Sequence, residues 1–169
     1  NDELARRGLA LSNLGDIDRQ TLAGALSTGT HGTSTRYGPI AASVIGLELV
    51  TADGEVVRCS AAEEPELFAC ARVGLGALGV ITKVTLQCEP AFRLHTLEEP
   101  HGFDEALAAW EETIAANEHV DSYWFPHSDV MTVKASNRTD RPIRVKSRRK
   151  QWRDDVLIGN YAFGALAAY

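Results

Sequence analysis

The seventeen residues VIGLELVTADGEVVRCS, Val44 to Ser60, constrain the fold more than any other part of the chain. Apolar residues flank Asp53-Gly54, a pair that tolerates the positive φ of a tight primed turn, so the segment predicts an antiparallel β-hairpin. Downstream, Val80, Thr82, Val84, Leu86 and Cys88 of VITKVTLQC alternate as in a half-buried strand, and Pro90 closes it. Between the two, Ser60 and Glu63 read as a capping box opening a helix that carries Leu67, Phe68 and Ala71, with GLGALG as its breaker.

The flanking segments extend this pattern. Asp2 to Gly8 reads as a helix end, and with no Met before Asn1 the chain is expected to be a piece of a longer protein. LALSNL, Leu9 to Leu14, predicts a short strand, followed by a turn whose Asp18 caps a helix through TLAGALS. After Pro90, AFRLHTL predicts a strand. Phe103, Leu107, Trp110 and Ile114 then form one stripe of a helix that covers a sheet. VDSYWFP and VMTVKAS predict two more strands, and DVLIGNYAFGALAAY a last helix. The order points to an α+β fold with largely antiparallel sheets, in two parts, residues 1–90 and 91–169.

Charge and cysteine usage narrow the function classes. The net charge is −6, which argues against non-specific nucleic-acid binding, yet residues 138–153 hold eight Lys or Arg against one acid. That block either grips an anion or a lipid surface, or is a solvated face paired to carboxylates; it lacks the aromatics of single-strand binders. Cys59, Cys70 and Cys88 have no CxxC spacing and read as reduced, buried thiols. His95 and His101 are too isolated for a metal site, so no metal ligand is assigned. No run is long and apolar enough for a transmembrane segment, and a cytoplasmic location is expected, with peripheral membrane attachment left open.

The chemistry concentrates in TLAGALSTGTHGTSTRYG, Thr21 to Gly38, with four glycines and seven Ser or Thr hydroxyls in eighteen residues. It has neither the GK[ST] of a Walker loop nor GxGxxG. It is either a backbone cradle for a ligand that brings its own charge or π-system, or a long surface loop. His31 either donates to a ligand or braces this loop, and His127 either faces a substrate or caps a turn; Glu111 and Glu112 read as solvated.

Taken in order, TLAGA, the Gly/Thr stretch, LELVTADGEVV and LGALGVITKVTL resemble the FAD-binding domain of the vanillyl-alcohol oxidase (PCMH-type) superfamily. NLGDIDRQTLAGALSTGTHGT, LFACARVGLGALGVITKVTLQ and YWFPHSD are similar to its sugar-1,4-lactone oxidase branch. The resemblance implies the later half of a flavin domain in residues 1–90, and the first half of a substrate domain in 91–169. It implies FAD as cofactor, an aldonolactone as substrate, and oxygen or a redox protein as electron acceptor. Carried over, Thr28, Gly29, Thr30, His31, Gly32 and Thr33 would run along the flavin. Gly38, Ile40 and Ala41 would continue that wall, and Val80 and Ile81 would meet the adenine end. Ser34 departs from the family's usual HGTG. The acid–base Glu and Arg would lie beyond Tyr169, so no catalytic residue is assigned here. Two alternatives stand beside this reading: a UDP-N-acetylenolpyruvoylglucosamine reductase-like flavoenzyme, and a non-catalytic anion or sugar-acid binding module.

Overall fold

The chain opens on α1 (Asp2–Arg6), stopped by Gly8 at φ +67°, and runs into β1 (Leu9–Ala10). The computed structural model describes residues 2–143 together with Ser147, Arg149 and Trp152. Asn1–Thr139 gather into one unit, and a second begins at Asp140. The helix expected in DVLIGNYAFGALAAY and five of the eight basic residues of 138–153 lie outside the described residues.

The strand expected over Leu9–Leu14 is only the two-residue β1, paired with β5 (Glu89–Pro90). Past Ala10 the segment trades ladder bonds for side-chain bonds: buried Asn13 donates to the carbonyls of Tyr37 and Gly38 at 3.0 and 3.1 Å. Helix α2 (Leu22–Ser27) is capped by Thr21 rather than Asp18, the Thr21 hydroxyl accepting from Gly24 N–H at 3.1 Å. A 3-10 turn, Ile40–Ser43, then leads into the first sheet.

That sheet is antiparallel, with β2 (Val44–Val50) between β3 (Val56–Ser60) and β4 (Val80–Leu86). The hairpin is present, closed by the loop Thr51–Glu55 instead of a two-residue turn. Asp53 accepts from the Thr51 hydroxyl, Thr51 N–H donates to the Glu55 carbonyl at 3.0 Å, and Gly54 sits at φ +86°. The alternation expected along β4 is reversed at its start. The register skips Thr82 between Glu48↔Lys83 and Leu49↔Ile81, so Ile81, Val84 and Leu86 pack on the core while Val80 is exposed. Ser60 does not cap a helix; its hydroxyl accepts from the Ala62 and Glu63 N–H groups and folds a turn. Helix α3 (Pro65–Ala71) starts later, with Pro65 at its first position, where the missing N–H costs nothing.

One core lies under this sheet, with Leu26, Leu49 and Cys59 fully buried and Ile40, Ala41, Val44 and Phe68 around them. Burial, then the charges of Glu63 and Glu64, push the Cys59 thiol up from its ordinary value. The expectation of three buried thiols holds for Cys59 alone: Cys88 is half-buried, and Cys70 is exposed on the outer side of α3.

The second sheet is also antiparallel, with β8 (Val130–Arg138) between β6 (Leu94–Gly102) and β7 (His119–Trp124). The expected single helix is two, α4 (Phe103–Ala108) and α5 (Trp110–Ala116), interrupted at Ala109. Within α4 the inward position one turn after Phe103 is Ala106, so Ala106 is buried and Leu107 is 56% exposed. Both helices lie against this sheet, and Phe103 packs on Trp124 with ring centroids 5.0 Å apart.

In the β7–β8 turn, the Trp124 indole donates to the Ser128 carbonyl at 2.8 Å, and His127 is exposed at φ +68°. A left-handed φ costs a residue with a Cβ about 1–2 kcal/mol, which glycine avoids at some cost in unfolded-state entropy. His127→Gly is therefore expected to be neutral or to stabilise by up to about 1 kcal/mol, read as a raised urea midpoint.

Candidate functional site

The glycine- and threonine-rich stretch divides in two. Thr28 to Thr30 wind off the end of α2: Thr28 and Gly29 N–H donate to the Gly24 and Leu26 carbonyls, and Gly29 sits at φ +67°. The loop before β4 meets this turn, Leu75 N–H donating to the Ser27 carbonyl at 3.1 Å. Gly32 serves a different need. A Cβ there would stand 2.0 Å from Asn13 Oδ1 and 2.5 Å from the Leu14 carbonyl, so the position demands bare backbone for close approach. His31 is exposed, with Nδ1 2.9 Å from the Gly32 carbonyl.

The rest of the stretch holds β7 and the end of α5 that leads into it. The Thr33 carbonyl accepts from Val120 N–H at 3.2 Å, the Ser34 hydroxyl donates to the Glu118 carbonyl, and Arg36 donates to the Ala115 carbonyl at 3.0 Å. Tyr37 lies against His119 and Arg138, and Arg138 forms a two-pronged pair with Glu89, both bonds 2.7 Å. Ser34, where the resembled family has glycine, thus uses its hydroxyl for this contact.

Two cavities flank the segment Leu11–Gly15. One, of about 310 Å³, is mostly apolar and includes Leu14, Ile17, Leu22, Thr30 and Ile40. The other, of about 500 Å³, lies between Thr33, Gly15 and Asp16 on one side and the second sheet on the other. Both are of ligand-pocket size.

Of the residues singled out in the sequence, Thr30 lines the first cavity and Thr33 the second. Ile40 lines the first cavity but, like Ala41, is a buried core residue; Gly38 is exposed, with its carbonyl taken by Asn13. Val80 pairs with Val50 at the end of β2 remote from Ile40, roughly 20 Å along the strand. Neither cavity includes Val80 or Ile81. Three residues that face the second cavity went unread in the sequence: His119, Asp121 and Lys134. Burial opposes the charge on Lys134, but Asp121, Tyr123 and Asp16 outweigh it and raise its pKa.

The Gly/Thr turn fits one part of a flavin dinucleotide, its phosphates or a ring heteroatom. Among the described residues, none accepts a hydrogen bond from the backbone N–H of His31, Gly32 or Thr33, so this turn offers unengaged donors of the kind a phosphate or a flavin heteroatom takes up.

Buried His119 has a lowered pKa, from burial first and then the charge of Arg138, with Glu118 opposing. The folded state therefore favours the neutral ring. Its stabilising contribution is present above the unfolded pKa of about 6.5 and is lost as pH falls toward the folded value. The urea midpoint is expected to drop between about pH 7 and 5, and His119→Gln to flatten that slope.

Comparison with known proteins places this geometry in a class and then in a family. Residues 1–60 match the family described as FAD binding domain, and residues 84–169 the one described as D-arabinono-1,4-lactone oxidase. The fold is that of cholesterol oxidase from Brevibacterium sterolicum, with a TM-score of 0.78 at 20% identity over 99% of this chain and 36% of that one. The chain carries an FAD-binding domain segment, and it belongs to the D-arabinono-1,4-lactone oxidase family. It is 38% identical to L-gulonolactone oxidase of Scyliorhinus torazame over 95% of its own length and 36% of that protein's. It is 34% identical to D-arabinono-1,4-lactone oxidase of Yarrowia lipolytica over 90% and 28%, and 40% identical to L-gulono-1,4-lactone dehydrogenase of Mycobacterium tuberculosis over 82% and 32%. The chain thus spans about a third of the length of these relatives. No described helix is long and apolar enough to cross a membrane.

Proposed function

We propose that the protein containing this chain oxidises a sugar-1,4-lactone with FAD and passes the electrons to oxygen or a redox protein. Residues 1–90 would serve as flavin-domain segment and 91–169 as the start of the substrate domain. The observation that carries the reading is the joint between the two parts: the Gly/Thr turn that offers free N–H donors is the same segment that grips β7 through Thr33, and the chain leading into it through Ser34 and Arg36. A ligand on that turn lies where the second sheet can hold a substrate against it.

When bound, FAD supplies the hydride-accepting chemistry, and the protein supplies position. His31, Gly32 and Thr33 would donate backbone N–H groups to the cofactor, with Thr28, Gly29 and Thr30 continuing the same turn. Gly38, Ile40, Ala41, Val80 and Ile81 remain proposed as the outer wall and adenine end. The side chains of Ile40 and Ala41 belong to the core, so they would act through backbone groups.

The test is anaerobic mixing of the full-length flavoprotein with L-gulono-1,4-lactone or D-arabinono-1,4-lactone. Bleaching of the flavin absorbance is expected with at least one of them. No bleaching by any aldonolactone, with flavin bound, would sink the proposal.

A further inference from the structure

The second sheet has two unlike faces. Strand alternation and register put Leu97, Ala135 and Val120 in one cross-strand row, on the side carrying α4 and α5. The other face carries Thr96, Ser136 and His119 in one row, and Glu98, Lys134 and Asp121 in the next. A polar sheet face normally looks to bulk water. This one is turned to the flavin-domain segment: His119 is 9% exposed, Ser136 is 7%, and both line the 500 Å³ cavity with Thr33 and Gly15 opposite.

Its polar groups are only partly satisfied within the chain. Thr96 and Ser136 bond each other at 2.9 Å, and Lys134 Nζ lies 3.5 Å from Asp121 Oδ2. Asp121 Oδ1 and His119 Nε2 are buried, with no partner among the described residues. Leaving such atoms unpaired is costly, and protein interiors avoid it. A carboxylate oxygen that accepts, an ammonium that donates and an imidazole that does either, set within one cavity, match a ligand bearing several hydroxyls and a carbonyl. An apolar ring would leave Asp121 Oδ1 and His119 Nε2 unpaired.

Resting on the lactone-oxidation reading, we propose that this cavity is where the hydroxyl groups of the sugar lactone are read, with Asp121, Lys134 and His119 as specificity-determining residues. Asp121 accepts from a ring hydroxyl through the oxygen that Lys134 does not engage. Lys134, held by Asp121, donates to a second oxygen of the ligand, and His119 Nε2 meets a third. These residues bind and select; the oxidation step needs no proton from them.

Lactone binding to the full-length flavoprotein tests this, by calorimetry on the oxidised protein without acceptor turnover and by the lactone dependence of anaerobic flavin reduction. Asp121→Asn and Lys134→Met are expected to weaken binding of L-gulono-1,4-lactone about 10- to 100-fold, as loss of a hydrogen bond to a charged group does. Flavin content should be unchanged and the limiting reduction rate within about threefold. The ratio of affinities for L-gulono- and D-arabinono-1,4-lactone, which differ by one hydroxylated carbon, should shift in at least one variant. Should Asp121→Asn fail to accumulate folded, Lys134→Met and Ser136→Ala decide the matter. A wild-type protein reduced by a lactone, with variants that keep its affinity within about twofold, overturns the subsite and leaves the proposed function standing. A wild-type protein that neither binds nor is reduced by any lactone overturns both.

Discussion

Gly32→Val is expected to destabilise the protein by about 3 kcal/mol or more, the sum of overpacking and the disruption of a buried side-chain amide. The added Cβ would start 2.0 Å from Asn13 Oδ1, 2.8 Å from Asn13 Cγ and 2.5 Å from the Leu14 carbonyl. A backbone carbonyl cannot swing aside, so Asn13 must leave, taking with it both bonds to Tyr37 and Gly38. Those bonds close the stretch that holds the second sheet, so flavin retention and the 500 Å³ cavity should be lost together. Gly46→Ala is the contrast. Its nearest neighbours stand 3.7 Å from the new Cβ, an ordinary contact, and its midpoint should hold or rise. Urea unfolding of the two full-length variants checks both. A Gly32→Val protein that keeps its midpoint and its flavin would show that the Asn13 contact carries no weight.

The same glycine shows where sequence reading stops. A run of glycines announces that backbone must be bare, but not whether the need is dihedral or steric. Gly29 needs its positive φ and Gly32 needs the space beside Asn13, and only the path of Leu9–Leu14 tells them apart. Local signals fared better: the hairpin flanking Asp53-Gly54 and the strands on either side of FPHSD are set by nearby residues, and both are present.

What depended on register was hidden. One skipped residue opposite Glu48–Leu49 reverses the inward positions at the start of β4, and within α4 the inward place goes to Ala106 instead of Leu107. The polar face of the second sheet is the same kind of case. Asp121 and Lys134 are thirteen positions apart and meet through the β7–β8 register. Polar residues alternating at 119, 121, 134 and 136 in two adjacent strands were the available signal. By itself that pattern describes a solvated hairpin, because alternation does not say what lies opposite.

Arg138→Ala is expected to cost about 2–3 kcal/mol, below the 3–5 kcal/mol of breaking a fully buried pair because the side chain is part-exposed. Arg138 is 32% exposed and binds Glu89 through both prongs, lies 3.3 Å from Glu118, and stacks over Phe92 at 4.0 Å and Tyr37 at 5.4 Å. It therefore ties β8 to the β5 strand paired with β1, and to the Gly/Thr stretch through Tyr37. Lysine keeps the charge but has neither the planar fork nor the stacking face, so Arg138→Lys should recover less than half of the loss. The pair also sets the acid limit of the fold. Hydrogen bonding to Arg138 lowers the pKa of Glu89, so its stabilising contribution is present above the unfolded carboxyl value of about 4.3 and disappears as pH falls through the folded one. Removing Arg138 should make the acid arm of the stability profile shallower, and Glu89→Gln should do the same. The double variant should lose less than the two single losses added, since the partners share one interaction. A double variant whose loss equals that sum would mean that Arg138 acts through Glu118 and its aromatic contacts, and that the joint between the two sheets does not depend on the Glu89 pair.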